Sequence, residues 1–177
     1  MKTHAFALLL LAVLLAPGLA HAKEGALTDA NILAIATASH QAEIDAAKMA
    51  LEKSSNAEVK RFADQMVTDH TAALGKATAL AAKLSVMAEE NDDVASLKKD
   101  AAATADRLKA LSGPEFDKAY ISAMVTDHQG VLDAIDKKLL PGAKKPELKR
   151  YLQELRPTVE NHLGHAKTLQ KKLGGTT

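Results

Sequence analysis

The pentapeptide MVTDH occurs twice in this chain, at Met66–His70 and again at Met124–His128. The match belongs to a longer frame. Phe62, Met66, Asp69, His70 and Leu74 align with Tyr120, Met124, Asp127, His128 and Leu132, at a constant offset of 58 residues. Within each copy the apolar residues recur at intervals of three and four, which is the period of an α-helix rather than a strand. The first copy continues a stripe of Val59, Phe62, Met66, His70, Ala73, Ala77, Leu80 and Leu84; the second, one of Ile121, Met124, His128, Val131, Ile135 and Leu139. Each histidine stands in the middle of the apolar face of its helix.

The flanking sequence has the same character. A third stripe, Leu148, Leu152, Leu155, Val159, His162, Ala166, Leu169 and Leu173, also carries a histidine at an inward position. Ahead of both repeats, His40 and Glu43 lie one turn apart on a face shared with Ala36, Ala47 and Ala50. Turn and capping residues divide the chain into four long helices and one shorter one. The first is expected from about Thr28 to Lys53. The second follows Ser54-Ser55-Asn56, with Ser55 and Glu58 as a capping box. Asn91-Asp92 opens the short helix, apolar at Val94, Leu97, Ala101, Leu108 and Leu111. Ser112-Gly113-Pro114-Glu115 opens the third long helix as another capping box, and this helix is expected to end before Pro141-Gly142. The last runs from Pro146 to Leu173, with a kink at Pro157.

Four helices that each carry one apolar stripe must bury those stripes on one another, so the predicted fold is all-α: a ferritin-like four-helix bundle. The short helix between the second and third long helices spans roughly 30 Å at 1.5 Å per residue, enough to return the chain along the bundle. Helices of similar length align their midpoints, and His40, Glu43, His70, His128 and His162 all lie near midpoints. The prediction is a central layer in which His70, His128, His162 and Glu43 hold a transition metal, with His40 and His165 as further candidates. Adjacent helical residues differ by about 100° in direction. Asp69 and Asp127 therefore sit on the flanks, where each is expected to accept a hydrogen bond from a histidine of the next helix and fix its tautomer.

Composition narrows the function classes. There are no cysteines, so disulfides, thiolate metal sites and cysteine nucleophiles are excluded. Lys2, the apolar run Ala5–Leu15, the break at Pro17-Gly18 and the small-x-small Ala20-His21-Ala22 read as a cleavable signal over residues 1–22. Residues 23–177 are then a single helical domain, periplasmic or secreted, with no membrane segment after cleavage. Loss of Lys2 leaves 22 basic against 22 acidic residues. That balance, with 3% aromatic content, argues against nucleic acid as a partner. A metal ion, an envelope protein or a second copy of the chain remain as partner classes. No catalytic set is recognisable. Beside the metal-binding reading stand a purely structural His/Asp layer, in an envelope stress or interaction module, and a dinuclear-metal redox enzyme.

Glu43, Val59-Lys60-Arg61-Phe62-Ala63, Met66-Val67, Asp69-His70, Leu111-Ser112-Gly113, Phe116-Asp117, Tyr120 and Pro157 with His162-Leu163 together resemble the secreted bacterial family called domain of unknown function 4142. The resemblance spans nearly all of the chain after the signal. It implies a ferritin-like fold and export, with some members labelled outer-membrane proteins, and it implies no activity. Carboxylate di-iron sites in such folds use Glu-x-x-His pairs. Here the positions three before the five later histidines are Thr37, Val67, Val125, Val159 and His162, none of them Glu. A histidine-rich site with one carboxylate suits zinc, copper or nickel better than two irons.

Overall fold

The computed structural model describes residues 27–174; the expected signal over residues 1–22 lies outside them. Each of the first three helices begins where a side-chain oxygen satisfies free backbone N–H groups. Thr28 caps α1 (Asp29–Lys53) in a reciprocal box with Asn31. Asn56 caps α2 (Ala57–Leu84), accepting from the N–H groups of Glu58 and Val59. The sequence pointed to Ser55 for this role. Asn56 takes it because its longer side chain stands directly before the first helical residue. Asn91 caps α3 (Asp92–Lys109) through the N–H of Val94.

At the start of α4 (Gly113–Ala134) Ser112 makes no side-chain cap bond, contrary to the capping-box expectation. Gly113 adopts a left-handed φ of 55° there, and Pro114 supplies no N–H that would need a cap. The chain then departs from the sequence-based ending. A π-turn at Ile135–Leu139 leads into one more turn, α5 (Leu140–Gly142), which contains Pro141. The π-turn bond from Leu140 N–H to Ile135 O already breaks the regular pattern, so Pro141 removes no regular helical bond at that point. α6 (Pro146–Lys172) runs through Pro157; Gln153, whose carbonyl loses its helical donor, is exposed to water.

These helices form the ferritin-like four-helix bundle, with α1, α2, α4 and α6 as its long members and α3 as the crossover. α1 packs on α2, α4 on α6, and α2 on α6, while α3 lies against α1 and α4. Contacts at the ends fix the directions. Asn31 Nδ2 donates to Glu89 O at 3.0 Å, and Lys53 Nζ donates to Leu108 O at 3.1 Å, so α3 runs parallel to α1. Asp29 accepts from the N–H groups of Lys144 and Lys145 ahead of α6, and Lys172 near its end pairs with Glu58 at the start of α2.

The apolar interior is split in two. One cluster gathers Ile32, Leu33, Ile135, Leu148 and Leu152; the other gathers Phe62, Met66, Phe116, Tyr120 and Met124. Among the buried polar residues, His40 and Glu43 on α1, His70 on α2 and His128 on α4 occupy the sequence positions between the two clusters. His162 on α6 stands between Val159 and Leu163, ahead of the change of cluster at Ala166. Among the described residues no helix is long and apolar enough to cross a membrane.

Candidate metal centre

Three imidazoles converge at this level. His70 of α2, His128 of α4 and His162 of α6 have ring centroids 5.7, 5.3 and 5.5 Å apart, a nearly equilateral triangle. Each offers one ring nitrogen such that the three lie within 4.8 Å of one another. All are buried, at 5%, 1% and 1% exposure, so bulk water cannot satisfy them.

Hydrogen bonding on the far side of the rings fixes the tautomers of His128 and His162, and for His70 it is met by a tautomer with Nε2 free. His128 Nδ1 is 2.9 Å from the carbonyl of Met124, which can only accept, so Nδ1 carries the proton. His162 Nε2 donates to Asp69 Oδ2 at 2.9 Å. His70 Nδ1 faces His40 Nδ1 at 3.0 Å, and His40 Nε2 faces the Tyr151 hydroxyl at 2.7 Å. Tyr151 in turn donates to Ala73 O at 3.4 Å. With the tyrosine proton directed to a carbonyl, His40 Nε2–H donates to Tyr151 and His40 Nδ1 accepts from His70 Nδ1–H. The ring nitrogens left without any partner are His70 Nε2, His128 Nε2 and His162 Nδ1. In these tautomers all three carry lone pairs.

Burial works in the same direction. It holds the pKa of His40 and of His128 down at about 4, and that of His70 at about 2, where the neighbouring histidines add to the effect. Neutral imidazole is the metal-binding form. A four-coordinate zinc with bonds of about 2.0–2.1 Å spaces its ligand atoms about 3.4 Å apart, so the three nitrogens need only a small inward movement to meet one ion. The donor set fits such an ion.

The other predicted site residues separate. Glu43 is buried in the same layer but outside the triangle. Its Oε1 lies 3.8 Å from His128 Nδ1, the nitrogen already bonded to Met124, and its Oε2 has no partner. Burial, reinforced by Asp127, raises its pKa to about 8, so it is largely protonated at neutral pH. Asp69 makes the expected bond to a histidine of the next helix. Asp127 makes none; it is exposed and lines a cleft with Thr104 and Arg107 of α3. The two repeats diverge because α2 lies against α6, which offers His162, whereas the seam beside Asp127 offers Glu43 and α3 instead. His40 joins the layer as the partner of His70. His165 is exposed, with its ring edge-on to Phe62 at 5.1 Å, and plays no part in the cluster. Tyr151 went unread in the sequence, since an aromatic residue on an inward helical face gives no sign of what its hydroxyl will meet.

Fold and site together define a helical bundle with a histidine-lined waist. The chain belongs to the family described as "Domain of unknown function (DUF4142)", whose model matches residues 15–169. No curated protein matches it. Among solved structures it is similar to a DUF305 protein from Streptomyces coelicolor described as secreted, with a TM-score of 0.69 and 14% identity, over 82% of this chain and 93% of that one. It is also similar to CopM in the Cu(II)-bound form, with a TM-score of 0.64 and 18% identity, over 83% of this chain and 98% of that one. At these identities the likeness concerns the fold alone.

Proposed function

We propose that this protein is an exported metal-binding protein, and that His70, His128 and His162 hold a single transition-metal ion. The observation that carries this reading is the set of three buried ring nitrogens without partners, His70 Nε2, His128 Nε2 and His162 Nδ1, on rings fixed from behind. Leaving a buried polar atom unsatisfied costs about 1–3 kcal/mol. Three in one layer are therefore expensive unless a shared ligand takes them up. Zinc, copper and nickel accept such imidazole sets. The one buried carboxylate nearby, Glu43, is too few for a carboxylate-bridged iron pair. The likeness to CopM, a protein seen with Cu(II), supports the choice of metal class. The signal-like start of the chain and the likeness to a protein described as secreted support export.

When bound, the ion would supply Lewis acidity or a charge-storing centre. The residues of this chain hold the imidazoles in one tautomer, keep them neutral and shield them from water. The test is metal analysis of protein purified without a polyhistidine tag, with melting curves in added Zn(II), Cu(II) and Ni(II). One ion per chain and a melting temperature raised by about 5–10 °C at a hundredfold excess over Kd are expected, and His128→Ala should abolish both. A protein that takes up none of the three ions, and whose melting ignores them, would leave the histidines as a structural layer only.

A further inference from the structure

The crossover helix does more than return the chain. Its inward stripe is Val94, Leu97, Ala101, Thr104 and Leu108, spaced three, four, three and four. Only Val94 and Leu108, at its two ends, are buried, at 1% and 0% exposure. They lie about 21 Å apart along the helix at 1.5 Å per residue. Between them the inward positions Ala101 and Thr104 are short, and α1 opposite presents Ala36, Ser39 and Ala42, which are also short. Small residues facing small residues leave space that helix packing does not close. The result is a cavity of about 460 Å³ roofed by α3, with apolar walls that include Leu152 and Val159.

Its lining also includes Glu43, His70 and His128, each more than nine-tenths buried and each with one polar atom that has no partner. Toward solvent it includes exposed Asp100 and Asp127 and half-buried Asp93. Lys138 offsets Asp93 at 3.5 Å, and Arg107 shares the cleft beside Asp127, so the rim keeps a negative excess.

We propose that this cavity binds a small uncharged organic molecule with an apolar body. The volume corresponds to about fifteen waters at about 30 Å³ each. Walls this apolar offer water few hydrogen-bond partners, whereas the volume lies within the roughly 300–1,000 Å³ of ligand pockets. The unpartnered atoms of Glu43, His70 and His128 have no surface open to the cavity, so recognition falls on the apolar body. The acidic rim disfavours carboxylate and phosphate heads. This proposal goes beyond the metal reading and does not depend on it, since the apolar body is held by α1, α3 and α6 whether or not an ion is present.

The test is calorimetric titration of the metal-free protein with 4-phenylimidazole, imidazole and 4-phenylbutyrate. The first is an uncharged molecule with an apolar body; the others lack the body or carry a charge. 4-Phenylimidazole should bind with at least about tenfold higher affinity than either. Ala101→Leu, which fills the cavity from α3, and Ser39→Leu, which fills it from α1, should each weaken that binding by at least about tenfold. Circular dichroism should show both variants folded, with melting temperatures equal to or above the parent's. Absent saturable binding, equal binding of all three probes, or binding that survives both variants overturns the proposal. Zn(II) uptake by the same samples is read separately: its absence overturns the metal reading and leaves this one standing.

Discussion

At the scale of single residues, orientation of the imidazoles by their outer partners decides what the site can do. Asp69 holds the Nε2 proton of His162 and so leaves Nδ1 free. Asp69→Asn keeps the shape but removes the charge that favours this tautomer. It should weaken metal affinity by about 10–100-fold, as measured by competition with a chromophoric chelator, with little change in the circular dichroism spectrum. Glu43 makes a prediction of opposite kind. Its folded pKa of about 8 lies above the ordinary value of 4.5, so the folded protein binds this proton more tightly than the unfolded chain. Stability therefore falls as pH rises between those values, on the order of 1 kcal/mol per pH unit. The depressed pKa values of His40, His70 and His128 have the reverse sign, so their contribution is lost as pH falls below 6.5, toward about 4 for His40 and His128 and about 2 for His70. Metal-free protein should thus lose melting temperature from pH 6.5 to 8, and Glu43→Gln should flatten that limb and steepen the acid limb between pH 6.5 and 4.5, where the Glu43 proton opposes the histidines. A parent curve already flat above pH 6.5 would contradict the neutral, buried state of this carboxyl.

At the scale of elements, α3 stands apart. The four bundle helices each bury six or more residues, whereas α3 is secured by Val94 and Leu108 at its ends. Few buried apolar contacts mean a low local unfolding free energy. Amide hydrogen exchange should therefore be faster across Asp92–Lys109 than in the buried middle parts of α2 and α4. Leu108→Ala removes a fully buried side chain, a change that costs about 2–5 kcal/mol in well-packed cores. Here the loss should concentrate in α3, raising its exchange toward the rate of free peptide while α2 and α4 keep their protection. Equal acceleration in all helices would show that α3 is integral to the bundle. The sequence revealed the helices because their period and caps are local properties. It concealed the π-turn at Ile135–Leu139, since the apolar stripe carries no mark of where an extra residue enters a turn.

At the scale of the whole molecule, the polar waist divides the interior into two apolar halves, and each half closes one end of the bundle. If the layer existed for stability, apolar replacements would disrupt it. Unsatisfied buried nitrogens point the other way, because replacing buried polar groups by apolar ones of similar size is often neutral or stabilising. The combined variant His70→Leu, His128→Leu and His162→Leu should melt at or above the temperature of the metal-free parent and below that of the metal-loaded one, with no response to metal. A large fall in its melting temperature would assign the histidines a role in holding the helices in register.

The repeat, the stripes and the caps determined by themselves that the chain is a four-helix bundle with a crossover helix, and that histidines from several helices share one level. Helical period and length are properties of neighbouring residues, so they survive in a linear text. Only the tertiary structure decided which flank of each helix meets which neighbour. It gave Asp69 a histidine partner and denied one to Asp127, although the two occupy the same place in identical pentapeptides. It set Glu43 beside the triangle instead of within it, brought Tyr151 to His40, and turned His165 to the surface. Contacts between helices depend on which elements pack together and at what rotation, a property of the assembled molecule that no single helix carries in its own sequence.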